Sequence, residues 1–201
     1  MMRTDLKELH YITAIGNVPS ILQHGILSHK RADKVIHKSV AMQEIQDRRK
    51  SVVVPNGRPL HEYANLYFNA RNPMLFKDVW GGIFSDEDLC VLIVTPDVID
   101  LPDVVITDRN ASSNYTRFRP SPSGLLLIDE DTFAESWKHP ESEVAEWEHK
   151  SKMCAEVLVP NVVPNRYIMG AYVSCAAAKR KLRAVAPSLT VTINKKMFFK
   201  K

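Results

Sequence analysis

Apolar residues in this chain fall in short runs, each bounded by polar or turn-forming residues. "HYIT" (10–13) reads as a short strand, and Asn17 then reads as a helix cap. Val18, Ile21 and Leu22 follow at i, i+3, i+4 spacing, and Gly25 suits a left-handed stop. Residues 30–50 alternate charges with Val35, Ile36, Met42 and Ile45, which predicts one or two surface helices. "VPNGRPLHEY" (54–63) is a turn-rich loop. In "NLYFNARNPMLF" (65–76), Leu66 to Phe68 and Met74 to Phe76 read as strands around Asn69, Arg71, Asn72 and Pro73, residues that a buried strand avoids. "DLCVLIVTP" (88–96), "DVVITD" (103–108), "GLLLID" (124–129), "AEVLVP" (155–160), "YIMGAYVS" (167–174) and "SLTVTI" (188–193) are further predicted strands. Residues 130–150 read as helical, with Trp137 and Trp147 as packing anchors, and 176–186 as a last helix. Short strands with helices between them and no βαβ regularity predict an α+β fold, in one domain over 1–201.

Composition narrows the class but does not choose a function. The chain has 201 residues, 45% hydrophobic and 25% charged, which suits one domain with a real core. No window holds the roughly 18 apolar residues of a membrane span, and "MMRTDLKELHYIT" has no apolar signal core. Cys90, Cys154 and Cys175 are odd in number and lack CxxC spacing, which suggests a reducing cytoplasm and no zinc site. A net charge of +4 permits a polyanionic partner without requiring one. There is no Gly-rich phosphate loop, HExxH, nucleophile elbow or metal-ligand cluster.

A few residues stand out against this background. Glu156 opens an otherwise apolar strand on the same face as Leu158, with Val157 and Val159 opposite. It is either a solvated strand end or a carboxylate that faces a cleft, holds a sugar hydroxyl and offsets positive charge on a ribose carbon. Arg71 sits at the strand break, where a guanidinium either pairs with a carboxylate or lines the cleft to meet phosphate or a base edge. His10 beside Tyr11 reads first as packing. The loop "TDRNASSNYTRFRPSPSG" (107–124) interleaves Arg109, Tyr115, Arg117, Phe118 and Arg119, which fits either a solvated loop or nucleic-acid contact. The tail "NKKMFFKK" (194–201) has the same mixture but reads as a frayed terminus. Cys154 lacks a histidine partner and reads as a small core residue.

Three stretches occur in order: "HYITAIGNVPSILQHGILS", "LYFNARNPMLF" and "AEVLVPNVVP". Together they resemble the DarT family of DNA ADP-ribosyltransferase toxins, over roughly residues 8 to 175. The resemblance implies an ADP-ribosyltransferase fold, with two small β-sheets forming an NAD cleft and helices flanking them. It implies transfer of ADP-ribose from NAD to thymine or guanine of single-stranded DNA, with NAD as co-substrate and no metal. A macrodomain antitoxin of the DarG type is the implied partner, and the toxin itself is expected as a cytoplasmic monomer. By the same resemblance Glu156 is the catalytic glutamate and Arg71 the essential arginine, and His10, Tyr11, Ile12 and Thr13 grip nicotinamide. Lys152 falls in the acceptor-presenting loop. Asn110 stands where many relatives carry histidine, and Arg109 and Tyr115 join it as substrate contacts. A guanidinium with a pKa above about 12 is a poor base, so Arg71 is expected to pair with developing negative charge. The rival readings are transfer to RNA or protein, a non-catalytic nucleic-acid-binding module, and an NAD glycohydrolase.

Overall fold

The computed structural model describes residues 1–200. Ten strands run Leu9–Ala14 (β1), Ile26–Leu27 (β2), Tyr63–Tyr67 (β3), Leu89–Val94 (β4), Val105–Thr107 (β5), Phe118–Pro120 (β6), Glu156–Pro160 (β7), Val162–Val163 (β8), Ile168–Val173 (β9) and Val191–Ile193 (β10). The α-helices are Val18–His24 (α1), His29–Ala32 (α2), Gln43–Lys50 (α3), Pro73–Trp80 (α4), Glu143–Lys152 (α5) and Ala176–Val185 (α6). The α+β class stands, with two sheets of unequal size. Eight strands join in the order β10-β9-β4-β1-β3-β7-β5-β6, and β2 and β8 form a small second sheet.

The large sheet is weakly joined at its middle. β1 pairs with β4 over six positions, from Leu9↔Val94 to Ala14↔Leu89. β3 pairs with β7 over five, from Tyr63↔Pro160 to Tyr67↔Glu156. Between β1 and β3 there is one register pair, His10↔Tyr67. Past it the two strands separate, so the sheet acts as two four-stranded halves with a gap between them.

Alternation decides which face of each strand is core. Leu66, Leu92, Val94, Val157, Val159 and Ala171 meet in the main hydrophobic cluster with Val18 and Ile21 of α1 and Leu182 of α6. The opposite face of β3 and β7 carries Tyr63, Asn65, Tyr67, Glu156 and Leu158. The expected split of Val157 and Val159 from Glu156 and Leu158 is therefore observed.

Several predicted elements differ, and of the helix predicted over 130–150 only a 3-10 turn at Glu130–Phe133 and α5 from Glu143 are formed. Met74 to Phe76 lie in α4 because Asn72, fully buried, caps the helix: its Oδ1 accepts from the Met74 and Leu75 N–H groups at 3.0 and 3.1 Å, and Pro73 occupies the first turn. Residues Ser123–Leu127 form a 3-10 turn instead of a strand. A Cβ at Gly124 would stand 2.6 Å from that of Ile106, so this turn lies tight against β5. Residues 194–200 of the tail are packed, not frayed, since Phe198 is fully buried and the Asn194 N–H donates to the Val173 carbonyl. Lys201 lies outside the described residues. Asn17 precedes α1 as predicted but does not cap it with its side chain. That amide instead holds the Lys38 carbonyl at 2.8 Å and N–H at 2.9 Å.

Asn72 also donates from Nδ2 to the Asn69 carbonyl at 2.9 Å, so it fixes both sides of the bend. Asn72→Ala is expected to lower stability by about 1–2 kcal/mol, read as a fall of several degrees in Tm.

Candidate active site

Where β1 and β3 separate, a cavity of about 500 Å³ opens, a volume within the usual range for a cofactor-sized ligand. Tyr11, Ile12 and Thr13 form one wall and Tyr63, Asn65 and Tyr67 another, with α3, α4 and α5 around the mouth. β1 has no ladder partner on this side beyond His10, so its backbone N–H and C=O groups are available to a ligand amide. Lys38, Arg48, Arg49, Lys77 and Lys150 line the cavity, and no carboxylate among the described residues does. Such a lining draws in a polyanion.

Glu156 lies beneath this lining and is fully buried. A buried carboxylate must be paired and hydrogen-bonded. Arg49 Nη1 donates to Oε1 at 2.9 Å and to Oε2 at 3.0 Å, and the Ala111 N–H donates to Oε1 at 2.9 Å. The strand itself is fixed by a hydrogen bond of 3.1 Å from the Glu156 N–H to Thr107 Oγ1. Thr107 in turn donates to the Arg109 carbonyl at 2.8 Å.

Arg49 is 6% exposed and lines the cavity, so it joins Glu156 to the open space above. Burial works against its charge, but the Glu156 carboxylate outweighs that and raises its pKa. Tyr67, directly opposite Glu156 in the ladder, is held well above the usual phenol range by burial and then by Glu156. The Cys154 thiol is pushed up to about 12 by burial and by Glu156. It packs in a hydrophobic cluster, where a small core residue was expected, and also lines the cavity. The arrangement presents a positively charged floor over a buried carboxylate.

Of the residues singled out from sequence, Tyr11, Ile12, Thr13 and Asn110 line the cavity. Asn110 anchors its loop: its N–H donates to the Ser151 carbonyl and its Oδ1 accepts from the Ser112 N–H at 2.9 Å. His10 is buried outside the lining, with Nε2 3.0 Å from Glu8 Oε1. Arg109 is also buried, beside Asp108 at 3.3 Å. Tyr115 is exposed just outside the lining.

Two expectations are corrected. Arg71 neither lines the cavity nor pairs with Glu156: its Nη1 donates to the Lys196 carbonyl at 2.6 Å and its guanidinium lies 4.2 Å from the Phe199 ring centre. Because α4 starts at Pro73, Arg71 lies at a helix entrance, turned toward the packed tail. Lys152 is drawn away by Asp131 at 2.7 Å and Asp129 at 3.2 Å, and Lys150, half a turn earlier, lines the cavity instead. Arg49 was hidden in the charged run 30–50. The available signal was spacing: Met42, Ile45 and Arg49 fall at i, i+3, i+7, which puts Arg49 on the apolar face.

Asp78 of α4 is fully buried, both its carboxylate oxygens lack partners, and burial raises its pKa to about 7. A native pKa above the unfolded value near 4 means the folded state binds the proton more tightly. This contribution to stability is present below about pH 4 and is lost as pH rises through about 7. Asp78→Asn is therefore expected to raise Tm relative to the parent at pH 8 and to change it little at pH 4, as read by thermal denaturation across that range.

The family model "DarT: ssDNA thymidine ADP-ribosyltransferase, DarT" matches residues 10–199. The chain is similar to the "DNA ADP-ribosyl transferase-DNA ADP-ribosyl glycohydrolase fusion protein" of Thermosipho africanus (strain H17ap60334), 39% identical over 172 residues. That match covers 84% of this chain and 42% of the fusion protein, so the chain spans less than half of that relative. The Thermosipho africanus DarTG structure with ADP-ribose has a TM-score of 0.86 at 34% identity, over 96% of this chain and 51% of that one. Thermus sp. 2.9 DarT in complex with ADP-ribosylated ssDNA has a TM-score of 0.82 at 26% identity, over 96% of each chain. The same Thermus protein in complex with NAD+ has a TM-score of 0.77 at 25% identity, over 96% of this chain and 98% of that one.

Proposed function

The chain belongs to the DarT family, and from that premise we propose that it transfers ADP-ribose from NAD to a thymidine base of single-stranded DNA. The observation that carries the reading is the Arg49–Glu156 pair under a basic cavity at the split between β1 and β3. Residues 1–201 are read as one DarT-like domain.

NAD supplies the ADP-ribosyl group, with nicotinamide as the group that leaves. The residues present fit it: unpaired β1 backbone beside Tyr11, Ile12 and Thr13 suits a carboxamide, and the lining cations suit a pyrophosphate. Glu156 is assigned the ribose hydroxyl and the positive charge that develops on the sugar. Oε1 already accepts from Arg49 and Ala111, whereas Oε2 accepts only from Arg49 and keeps a free lone pair for that contact. A shift of the overlying Arg49 must uncover it, because Glu156 is fully buried. Arg49 stays protonated against the carboxylate and does not serve as a base. Its role is to pair with the Glu156 carboxylate and to meet negative charge on the acceptor base or the pyrophosphate. Asn110, Lys150 and Ser151 face the cavity from the side of the β5–β6 loop and α5 and are assigned to the acceptor.

The name of the Thermosipho relative pairs a transferase with a DNA ADP-ribosyl glycohydrolase. An enzyme of that class, a macrodomain antitoxin of the DarG type, is the proposed counterpart of this chain as a toxin. No helix among the described residues is long and apolar enough to cross a membrane.

The test is a panel of matched oligonucleotides incubated with NAD: single-stranded DNA with and without thymidine, its duplex, and the RNA equivalent. An adduct confined to thymidine-containing single strands supports the reading. Equal adducts on RNA or on strands without thymidine would refute the acceptor assignment, and release of free ADP-ribose with no adduct would refute transfer.

A further inference from the structure

Two aromatic rings stand at the mouth of the cavity outside every hydrophobic cluster of the described residues. Trp147 is 52% exposed and Tyr115 69%. Their ring centres are 6.2 Å apart and their planes meet at 83°. Trp147 lies on the same face of α5 as Lys150 and Ser151, and all three line the cavity. Tyr115 comes from the β5–β6 loop.

That loop is tied down beside the helix. The Asn110 N–H donates to the Ser151 carbonyl at 2.9 Å, and the Thr116 hydroxyl donates to the Asn110 carbonyl at 2.6 Å. The two rings are therefore held in place relative to each other and to the cavity. Single exposed aromatics need no explanation. A positioned pair continuous with a basic cavity has the form of a base-stacking platform, because any nucleobase offers a flat face to an aromatic ring. Basic groups are within the same surface: Lys150, bonded to Glu146 at 2.6 Å, and Arg117, whose side chain is 62% exposed and bonded to Asp108 at 2.9 Å. Lys150 can exchange its part-exposed Glu146 contact for a phosphate, whereas Arg117 is anchored by the buried Asp108 carboxylate and keeps its outer guanidinium face open.

We propose that Trp147 and Tyr115 form a stacking subsite for the nucleotide adjoining the modified thymidine on the same DNA strand. The inference rests on the DNA reading above and extends it from one base to two. In a duplex that neighbouring base is already stacked on both faces, so the platform favours an unpaired strand.

Affinity measured without turnover tests this, by fluorescence anisotropy of a labelled single-stranded oligonucleotide carrying one thymidine. Trp147→Ala is expected to raise Kd about tenfold, within the range for loss of one base–aromatic stack, and Trp147→Phe to recover most of it. An abasic nucleotide on one side of the thymidine should weaken the parent protein to the same degree and add little to Trp147→Ala. Tyr115→Ala should shift Kd in the same direction, and its exposure makes it a second probe if Trp147→Ala folds poorly. Variants that bind as tightly as the parent overturn the proposal. So does an abasic penalty equal in parent and variant, or a parent with no measurable affinity for the strand. A protein that binds in the expected pattern but transfers nothing would refute the transferase reading and leave the subsite standing. One that transfers ADP-ribose with Kd unchanged in the variants would refute the subsite alone.

Discussion

Glu156→Gln is expected to lower the rate of ADP-ribose transfer by a factor of roughly 10²–10³ while the protein remains folded. That is the usual effect of losing one preorganised group aimed at charge developing in a transition state. The amide keeps an oxygen to accept from the Ala111 N–H, so the local geometry has a reason to persist. What it loses is the negative charge, and with it the means to offset a cationic sugar. Arg49 then faces a neutral partner in a buried position, so a fall in Tm is also expected. Rates should therefore be taken well below the variant's melting range, with transfer followed by intact mass of the oligonucleotide. Near-parental transfer from a folded Glu156→Gln protein would remove Glu156 from the mechanism.

The second large effect concerns Arg49. Arg49→Met leaves a fully buried carboxylate with one N–H donor and no cation. Removing one partner of a buried pair costs about 3–5 kcal/mol, so the single variant should be both inactive and markedly destabilised in chemical denaturation. Replacing both partners separates the two losses. Arg49→Met combined with Glu156→Leu removes the uncompensated charge, and stability should return toward the parent value while transfer stays absent. Arg71→Ala is the contrasting variant: its guanidinium serves the Lys196 carbonyl and the Phe199 ring, so transfer should persist with at most a modest loss of stability. If Arg71→Ala were inactive and Arg49→Met active, the roles of the two arginines would be inverted.

Strands whose neighbours are all sheet were the easiest to read, because alternation and β-branched residues agree there. β1, β4, β7 and β9 lie within a residue or two of their predicted spans. Misreadings came where a single polar residue overrode an apolar run. Asn72 turns "MLF" into a helix by capping it, and the close approach of Gly124 to Ile106 makes "GLLL" a tight turn. The Gly124 contact is distant in sequence, whereas the Asn72 cap is local, and Asn before Pro was the signal that pointed to it. For the site, Glu156 was legible because a carboxylate at an apolar strand's start is anomalous. Arg49 was not, since one arginine among Arg48, Arg49 and Lys50 looks like its exposed neighbours until the helix is placed over β7. Trp147 was expected to anchor packing and instead stands at the cavity mouth, because α5 is charged on most of its surface and has no buried residue among the described ones.

The proposed transfer of ADP-ribose from NAD to thymidine runs through the Arg49–Glu156 pair. Its most direct test is intact mass spectrometry of a single-stranded oligonucleotide with one thymidine, incubated with NAD and parent protein, Glu156→Gln or Arg71→Ala. A gain of one ADP-ribose, located on the thymidine, is expected with the parent and with Arg71→Ala, and little or none with Glu156→Gln. No adduct from the parent protein, or an equal adduct from Glu156→Gln, would contradict that proposal.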